Sequence, residues 1–115
     1  MQLTIQAPSI MLCNEAVDFR LGIDGLIKIA VNELNASLQE TIFVFYNRPR
    51  TKLKILAWHR NGFILLLKRL ERGHFFSMQN EPVATVTPQQ LSWLLAGLDW
   101  ITMSSFGELE YRDFN

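Results

Sequence analysis

The stretch "KLKILAWHRNGFILLLKRLERG", residues 52 to 73, contains two strand-like runs joined by Asn61-Gly62. An Asn-Gly pair between two such runs is the strongest short-range signal for a β-hairpin, because both central residues of a type I′ turn need positive φ angles. With Asn61-Gly62 as the loop, we predict a hairpin in which Lys54 lies opposite Arg69. This like-charge pair is unfavourable by some tenths of a kcal/mol, so we expect an anion, or Glu71, to lie between the two side chains.

The residues before the hairpin predict a strand, a helix and a second strand. "SIMLC" at 9–13 is short and apolar, and "TIFVFY" at 41–46 is rich in β-branched and aromatic residues, as strands are. Between them, apolar residues recur every three or four positions along one helix face, with Asp18 as the candidate N-cap. Pro49 marks a turn within "NRPR" at 47–50.

The residues after the hairpin predict a short strand and a second helix. "HFFSM" at 74–78 is a possible further strand, and "VATV" at 83–86 reads as extended chain. Thr87, Pro88 and Gln90 then form a capping box with proline at the first helical position, which predicts a helix start at this point.

This element order predicts an α+β fold, since consecutive strands joined by short turns form an antiparallel sheet. We expect an antiparallel β-meander of about four to five strands with two helices packed on one face. The predicted domain covers residues 1–100, and residues 101–115 form a C-terminal tail that frays or caps an edge.

Composition is typical of a globular domain, with 49% hydrophobic and 19% charged residues in a chain of 115. The apolar runs are too short to span a bilayer, and the first residues lack the basic region of a secretory signal. A single cysteine, Cys13, cannot form an internal disulfide and suits a reducing compartment. We therefore expect a cytoplasmic protein without membrane contact.

The charge of the chain is strongly polarised although the total is zero. Residues 41–74 carry eight basic side chains against one acid, whereas residues 1–40 and 75–115 each carry an excess of acids. Such a cluster is typical of a solvated sheet edge, of a surface that binds phosphates, or of a docking site for an acidic protein. The candidate nucleic-acid-binding residues are Arg48, Arg50, Lys52, Lys54, Lys68, Arg69 and Arg72, with Arg20 as a weaker addition.

No residue pattern predicts catalysis, a metal or a cofactor. The two histidines are 15 positions apart and the chain has no CxxC or HExxH motif. Two-metal chemistry would need three carboxylates, for example Asp18, Asp24 and Glu33, but the first two are already explained as a helix cap and an exposed helix position. We therefore expect a protein that is not an enzyme.

Three motifs in this order resemble the small accessory protein encoded by the second open reading frame of insertion-sequence-sixty-six-type bacterial transposons. They are D-x-R-x-G-x-D-G-L from Asp18 to Leu26, K-R-L-E-x-G-x-F from Lys68 to Phe75, and T-P-x-Q-L…L-L-x-G-x-D-W from Thr87 to Trp100. The similarity runs from about residue 9 to Trp100. This family is unrelated to the RNA-guided nucleases that share its TnpB label.

The chain departs from this family at a few positions. Phe19-Arg20-Leu21-Gly22 stands where Met-Arg-Lys-Gly is usual, His74 replaces a common arginine, and Ser77-Met78 replaces a usual Trp-Pro pair.

The resemblance implies a role in transposition beside a separate, larger transposase, and it supplies no catalytic mechanism. The first hypothesis is a non-catalytic factor that binds DNA at the ends of its element through the basic hairpin. The alternative is a protein-interaction module that docks the transposase without contacting DNA. The sequence does not define the oligomeric state.

Overall fold

The computed structural model describes residues 2–105, which form one five-stranded sheet with three helical segments. In chain order the elements are β1 (Ser9–Cys13), α1 (Ile23–Asn32), β2 (Thr41–Tyr46), β3 (Lys52–His59), β4 (Gly62–Arg69), β5 (Val83–Thr85), α2 (Pro88–Leu95) and α3 (100–105).

The sheet has the strand order β4-β3-β2-β1-β5 and is mostly antiparallel. Only β1 and β2 run parallel, since α1 carries the chain from the end of one strand back to the start of the next. The predicted α+β class is therefore confirmed. Because the first two strands run parallel, the sheet is mixed and is not a pure meander.

The two predicted helices lie on opposite faces of the sheet, so the prediction that both pack on one face was wrong. Leu26 and Ala30 of α1 pack with Phe43 and Phe45 of β2. Leu94 of α2 belongs instead to the cluster formed by the alternate β2 residues, which are Ile42, Val44 and Tyr46. Every residue of β2 is buried, as expected of a strand that is covered on both faces.

Helix α1 begins at Ile23, later than the predicted start at Asp18. The Asp18 carboxylate accepts a hydrogen bond from the Arg20 main-chain N–H at 2.9 Å, so it closes a local turn and does not cap the helix. Gly22 is the N-cap, without a side-chain hydrogen bond. A Cβ at Gly25 would lie 2.7 Å from Cδ2 of Leu21, so a larger residue at this position would require the Leu21 side chain to shift.

The β3–β4 hairpin forms as predicted, but its register differs by two residues. The turn consists of Arg60 and Asn61, with His59 paired to Gly62, and Arg60 alone adopts a positive φ of 56°. A shift of two residues keeps every side chain on its predicted face. It nevertheless changes the pairs, since Lys54 lies opposite Leu67 and the like-charge pair is Lys52 with Arg69.

The segment between β4 and β5 crosses the α2 face of the sheet and is not a strand at 74–78, contrary to the prediction. Phe75 is buried in the core on this face. The carbonyl oxygen of Phe76 accepts two hydrogen bonds, from the Tyr46 hydroxyl at 2.7 Å and from the Trp100 indole N–H at 2.9 Å. These donors hold the segment against the core and occupy a carbonyl group that a strand would use for sheet pairing.

The C-terminal prediction concerned residues 101–115. Residues 101–105 continue α3, whose first residue, Trp100, is buried in the core. Residues 106–115 lie outside the described part of the chain.

The capping box that opens α2 is confirmed. The Thr87 hydroxyl accepts from the Gln90 N–H at 3.1 Å, and the Gln90 side chain accepts from the Thr87 N–H at 2.8 Å. Two main-chain donors at the helix start are thereby satisfied.

Replacement of the cap, Thr87→Ala, should lower the free energy of unfolding by about 1 kcal/mol, because one of these donors loses its acceptor. Urea denaturation followed by circular dichroism measures the change. Ser92→Ala, at an exposed position of the same helix, is the matched control and should leave stability nearly unchanged. Equal effects of the two substitutions would contradict the capping role.

Candidate nucleic-acid interface

Basic side chains collect at one end of the sheet, where β2 ends, β3 begins and β4 ends. The pairings of Tyr46 with Leu53 and of Lys52 with Arg69 bring these three strand ends together. The chain after β4 stays at this end, since Leu70 and Phe75 donate main-chain hydrogen bonds to Thr51 and Arg50. We name as the basic end five cations at this place, the exposed Arg48, Lys68, Arg69 and Arg72 and the half-buried Lys52.

The turn between β2 and β3 fixes the position of Arg48. The Asn47 carboxamide oxygen accepts from the main-chain N–H groups of Thr51 at 2.9 Å and Lys52 at 3.0 Å. Its amide group donates to the Thr51 hydroxyl at 3.1 Å. Arg48 is exposed at the tip of this braced turn, next to the start of β3.

Lys52 and Arg69 lie directly opposite each other across β3 and β4. Arg69 also donates to the Glu71 carboxylate at 2.9 Å, but the two side chains are 62% and 77% exposed. An ion pair this exposed contributes little to stability, because water screens it. Glu71 therefore offsets one charge of the basic end and leaves an excess of positive charge around it.

Lys54, a predicted site residue, is turned toward the protein. Its ammonium group donates to the main-chain carbonyls of Phe19 at 2.8 Å and Leu21 at 2.7 Å. The same nitrogen lies 4.9 Å from the centroid of the Phe19 ring, within cation–π range. Lys54 therefore fastens the loop before α1 to the sheet, and this explains a lysine in the middle of a half-buried strand.

Arg50, also a predicted site residue, is likewise used internally. Its guanidinium donates to the Asn14 carbonyl at 2.5 Å and lies 4.6 Å from the centre of the Tyr46 ring. Its main chain has a positive φ of 61°, and its carbonyl accepts from the Phe75 N–H at 2.7 Å. Arg50 thus connects the ends of β1 and β2 with the segment that follows β4.

Arg20, the weaker candidate, is exposed but paired with a neighbouring carboxylate. Its guanidinium lies 2.6 Å from Asp18, with the two side chains 91% and 46% exposed. The hydrogen bonds from the Arg20 side chain are the main reason that the pKa of Asp18 falls to about 2. Asp18 is therefore ionised at neutral pH and offsets the charge of Arg20 where it faces water.

The remaining charged residues add to the separation of positive and negative charge in the molecule. Arg60 occupies the β3–β4 turn, at the far end of the hairpin from the basic end. Glu15 and Glu81 follow β1 and precede β5, and the chain is joined there by the hydrogen bond from Asn14 to the Pro82 carbonyl. Positive charge is thus concentrated on the β2–β4 side of this sheet end and negative charge on the β1–β5 side.

The chemistry available at the basic end is the donation of hydrogen bonds by ammonium and guanidinium groups. Such groups bind carboxylates and phosphates, and arginine does so with a planar pair of donors. Among residues 2–105, no three His, Cys, Asp or Glu side chains lie where they could share a metal ion. None of the helices in this part of the chain is long and apolar enough to cross a membrane.

Sequence reasoning found all five residues of the basic end but did not separate them from Lys54 and Arg50. For Lys54, the available signal was its place on the same face as the buried Leu56, two residues along the strand. No sequence signal marks the inward turn of Arg50, because it depends on the positive φ of this residue and on contacts with Asn14 and Tyr46.

The structure defines a small mixed-sheet domain with a cationic sheet end, and comparison with known proteins gives its family. Residues 8–105 match the family model described as IS66 Orf2 like protein. The chain belongs to this family of insertion-sequence accessory proteins, so the resemblance seen in the three motifs is confirmed.

Two relatives come from Sinorhizobium fredii (strain NBRC 101917 / NGR234). "Uncharacterized protein y4jC" is 37% identical over 93 residues, covering 79% of this chain and 80% of the relative. "Uncharacterized protein y4hO" is 36% identical over 85 residues, covering 72% and 74%. No solved structure matches the chain.

The hydrogen bonds from Lys54 to the loop before α1 give a stability prediction. Lys54→Met keeps the aliphatic stem but removes both hydrogen bonds to main-chain carbonyls, so the free energy of unfolding should fall by about 1–2 kcal/mol. Chemical denaturation checks the change. Lys68→Met, at an exposed position of the neighbouring strand, should alter stability by less than about 0.5 kcal/mol. The internal role of Lys54 is contradicted if both variants are equally stable.

Proposed function

We propose that this protein assists transposition of its insertion sequence as a non-catalytic factor that binds DNA phosphates at the basic end. The observation that carries the proposal is the collection of five cations at one sheet end, four of them exposed, with Glu71 as their one ion-paired acid among residues 2–105. A cationic patch of this kind attracts polyanions and accounts for most of the sequence-independent affinity of DNA-binding proteins.

The distribution of charge argues against a merely protective role at the sheet edge. Lysines that block edge-to-edge pairing act when they are placed along the exposed strand. Here residues 62–67 of β4 carry no charge, and the two cations of this strand, Lys68 and Arg69, are its last two residues. The positive charge is gathered at one end, as contact with a localised anion requires.

The pairing of strands supplies a second argument. Lys52 opposite Arg69 is a like-charge cross-strand pair whose repulsion the exposed Glu71 relieves only in part. A phosphate near both side chains would remove this repulsion and gain hydrogen bonds from each. Lys52 and Arg69 lie on the α1 face of the sheet and Lys68 on the α2 face, so a DNA backbone that contacts all of them would pass around the end of β4.

The proposed contact residues are therefore the five of the basic end. Lys54 and Arg50 are left out because their cationic groups already donate to main-chain carbonyls. Arg20 is left out because its guanidinium donates to both carboxylate oxygens of Asp18, whereas Arg69 donates to only one oxygen of Glu71. Phosphate contacts position a protein on DNA without reading bases, so any preference for the ends of the element needs additional contacts or the transposase.

The alternative is a protein-interaction module, in which an acidic segment of the transposase takes the place of the phosphates. It uses the same five cations, so geometry does not separate the two hypotheses. Naked duplex DNA does separate them, because only the first hypothesis requires affinity in the absence of any other protein.

The test is fluorescence anisotropy with a labelled DNA duplex over a range of salt concentrations. Contact with four or five phosphates should give a slope of log K against log [salt] of about −3.5 to −4.5. Lys68→Gln with Arg72→Gln should reduce the magnitude of the slope by about two and weaken binding about tenfold or more at low salt.

The matched control is Lys28→Gln with Arg60→Gln, which removes the same net charge at exposed positions away from the basic end. This control should bind DNA almost as well as the unmodified protein. Equal loss in the two double variants would point to net charge alone and would contradict a localised site. A protein that binds the transposase but shows no affinity for duplex DNA would favour the alternative.

A further inference from the structure

The outer edge of β4 is open and apolar. This strand is the last in the sheet order, and no strand within residues 2–105 pairs with its outer side. Residues 63–67, "FILLL", contain no charge and no proline, and the pairing of β3 with β4 runs without a bulge. A long, regular, apolar edge without such protection is a template for pairing with another strand.

The exposed side chains of β4 fit an added strand better than a partner that packs on one face of the sheet. Leu66 is 40% exposed and Leu67 is 61% exposed. Leu67 lies opposite Lys54 on the α1 face, whereas Leu66 lies opposite Ile55 on the α2 face. A partner on one face reaches one leucine only, but a strand that continues the sheet packs beside both.

We propose that a second copy of this chain covers the edge, with the two β4 strands antiparallel about a twofold axis at Leu66. In this register Leu66 lies opposite Leu66 of the second copy, and Leu67 lies opposite Leu65. The two sheets then form one continuous ten-stranded sheet, and the interface is isologous, as in most homodimers.

The charge pattern of β4 favours this occupant. In the antiparallel register Arg69 lies opposite Phe63 of the second copy and Lys68 opposite Ile64, so the cations of the two strands do not meet. Glu71, the one acid of residues 41–74, lies opposite Asn61 of the second copy and next to Arg60. Parallel pairing would place the cationic ends side by side. A purely acidic strand would match only residues 68 and 69 and would leave the apolar run without a complement.

The dimer does not depend on DNA binding, and its test contains no DNA. Sedimentation velocity over micromolar to submillimolar concentrations should show a monomer–dimer equilibrium. Leu66→Lys with Leu67→Lys should weaken association about tenfold or more, because four lysines would meet at the seam. Val31→Lys with Leu98→Lys is the matched control, since it also replaces two exposed apolar residues with lysine but away from the β4 edge. Association of this control should not change.

A cysteine on the proposed axis tests the register. Directly opposed residues of antiparallel strands have Cα atoms about 4.5–5.5 Å apart, which lies within the range that a disulfide spans. Leu66→Cys should therefore form a covalent dimer on mild oxidation, whereas Val31→Cys should not. The native Cys13 is 5% exposed and should not compete.

Three results would overturn the proposal: a monomer at every concentration, equal weakening by the two double lysine variants, or a dimer in which Leu66→Cys does not cross-link. Circular dichroism of each variant shows whether it is folded. All the substituted positions are exposed, so the fold should be retained.

Discussion

Strand β2 is enclosed on both sides, and the rest of the architecture follows from that constraint. Its six residues are all buried, with aromatic side chains on the face of α1 and mainly aliphatic ones on the face of α2. Apolar surface on both faces requires a cover on both, so α1 and α2 cannot share a layer. Because β1 and β3 pair with the two sides of β2, β4 lies at the edge of the sheet. The end of β4 and the start of β3 together hold most of the basic end.

The cations of the hairpin divide according to what they face. Lys54 and Arg50 point at main-chain carbonyls and aromatic rings, and there they join the loop before α1 and the segment after β4 to the sheet. Four of the five residues of the basic end are exposed and Lys52 is half-buried, and repulsion among these cations favours an anion beside them. Under the proposed function, stability and DNA binding therefore use different members of one charge cluster.

Much of this could be predicted from the sequence, because local rules agreed with the fold. The capping box at Thr87 and Gln90 depends on residues three apart, and the structure shows both of its hydrogen bonds. The hairpin was likewise predictable, and its faces survived the error in register because a shift of two residues preserves alternation.

The remaining features depend on long-range contacts that no local pattern encodes. The turn lies at Arg60 and Asn61, although Asn61-Gly62 fits the turn rules better. Pairing along the whole length of the two strands therefore outweighs the local turn preference. The packing of α1 and α2 on opposite faces of the sheet follows from "TIFVFY", because this strand is apolar on both faces and needs a cover on each. For the basic end, the sequence shows the cluster of cations. Only the contacts in the structure distinguish its five residues from the internally bonded Lys54 and Arg50.

The most direct measurement is a nuclear magnetic resonance titration of the protein with a short DNA duplex, observing main-chain amides together with lysine and arginine side-chain groups. The account predicts perturbations in the β2–β3 turn around Arg48, at Lys52, and from Lys68 to Arg72. The Lys54 ammonium group and the Arg60 turn should keep their positions in the spectrum. Perturbations centred on the Arg60 turn or on α2, with the basic end unchanged, would contradict it.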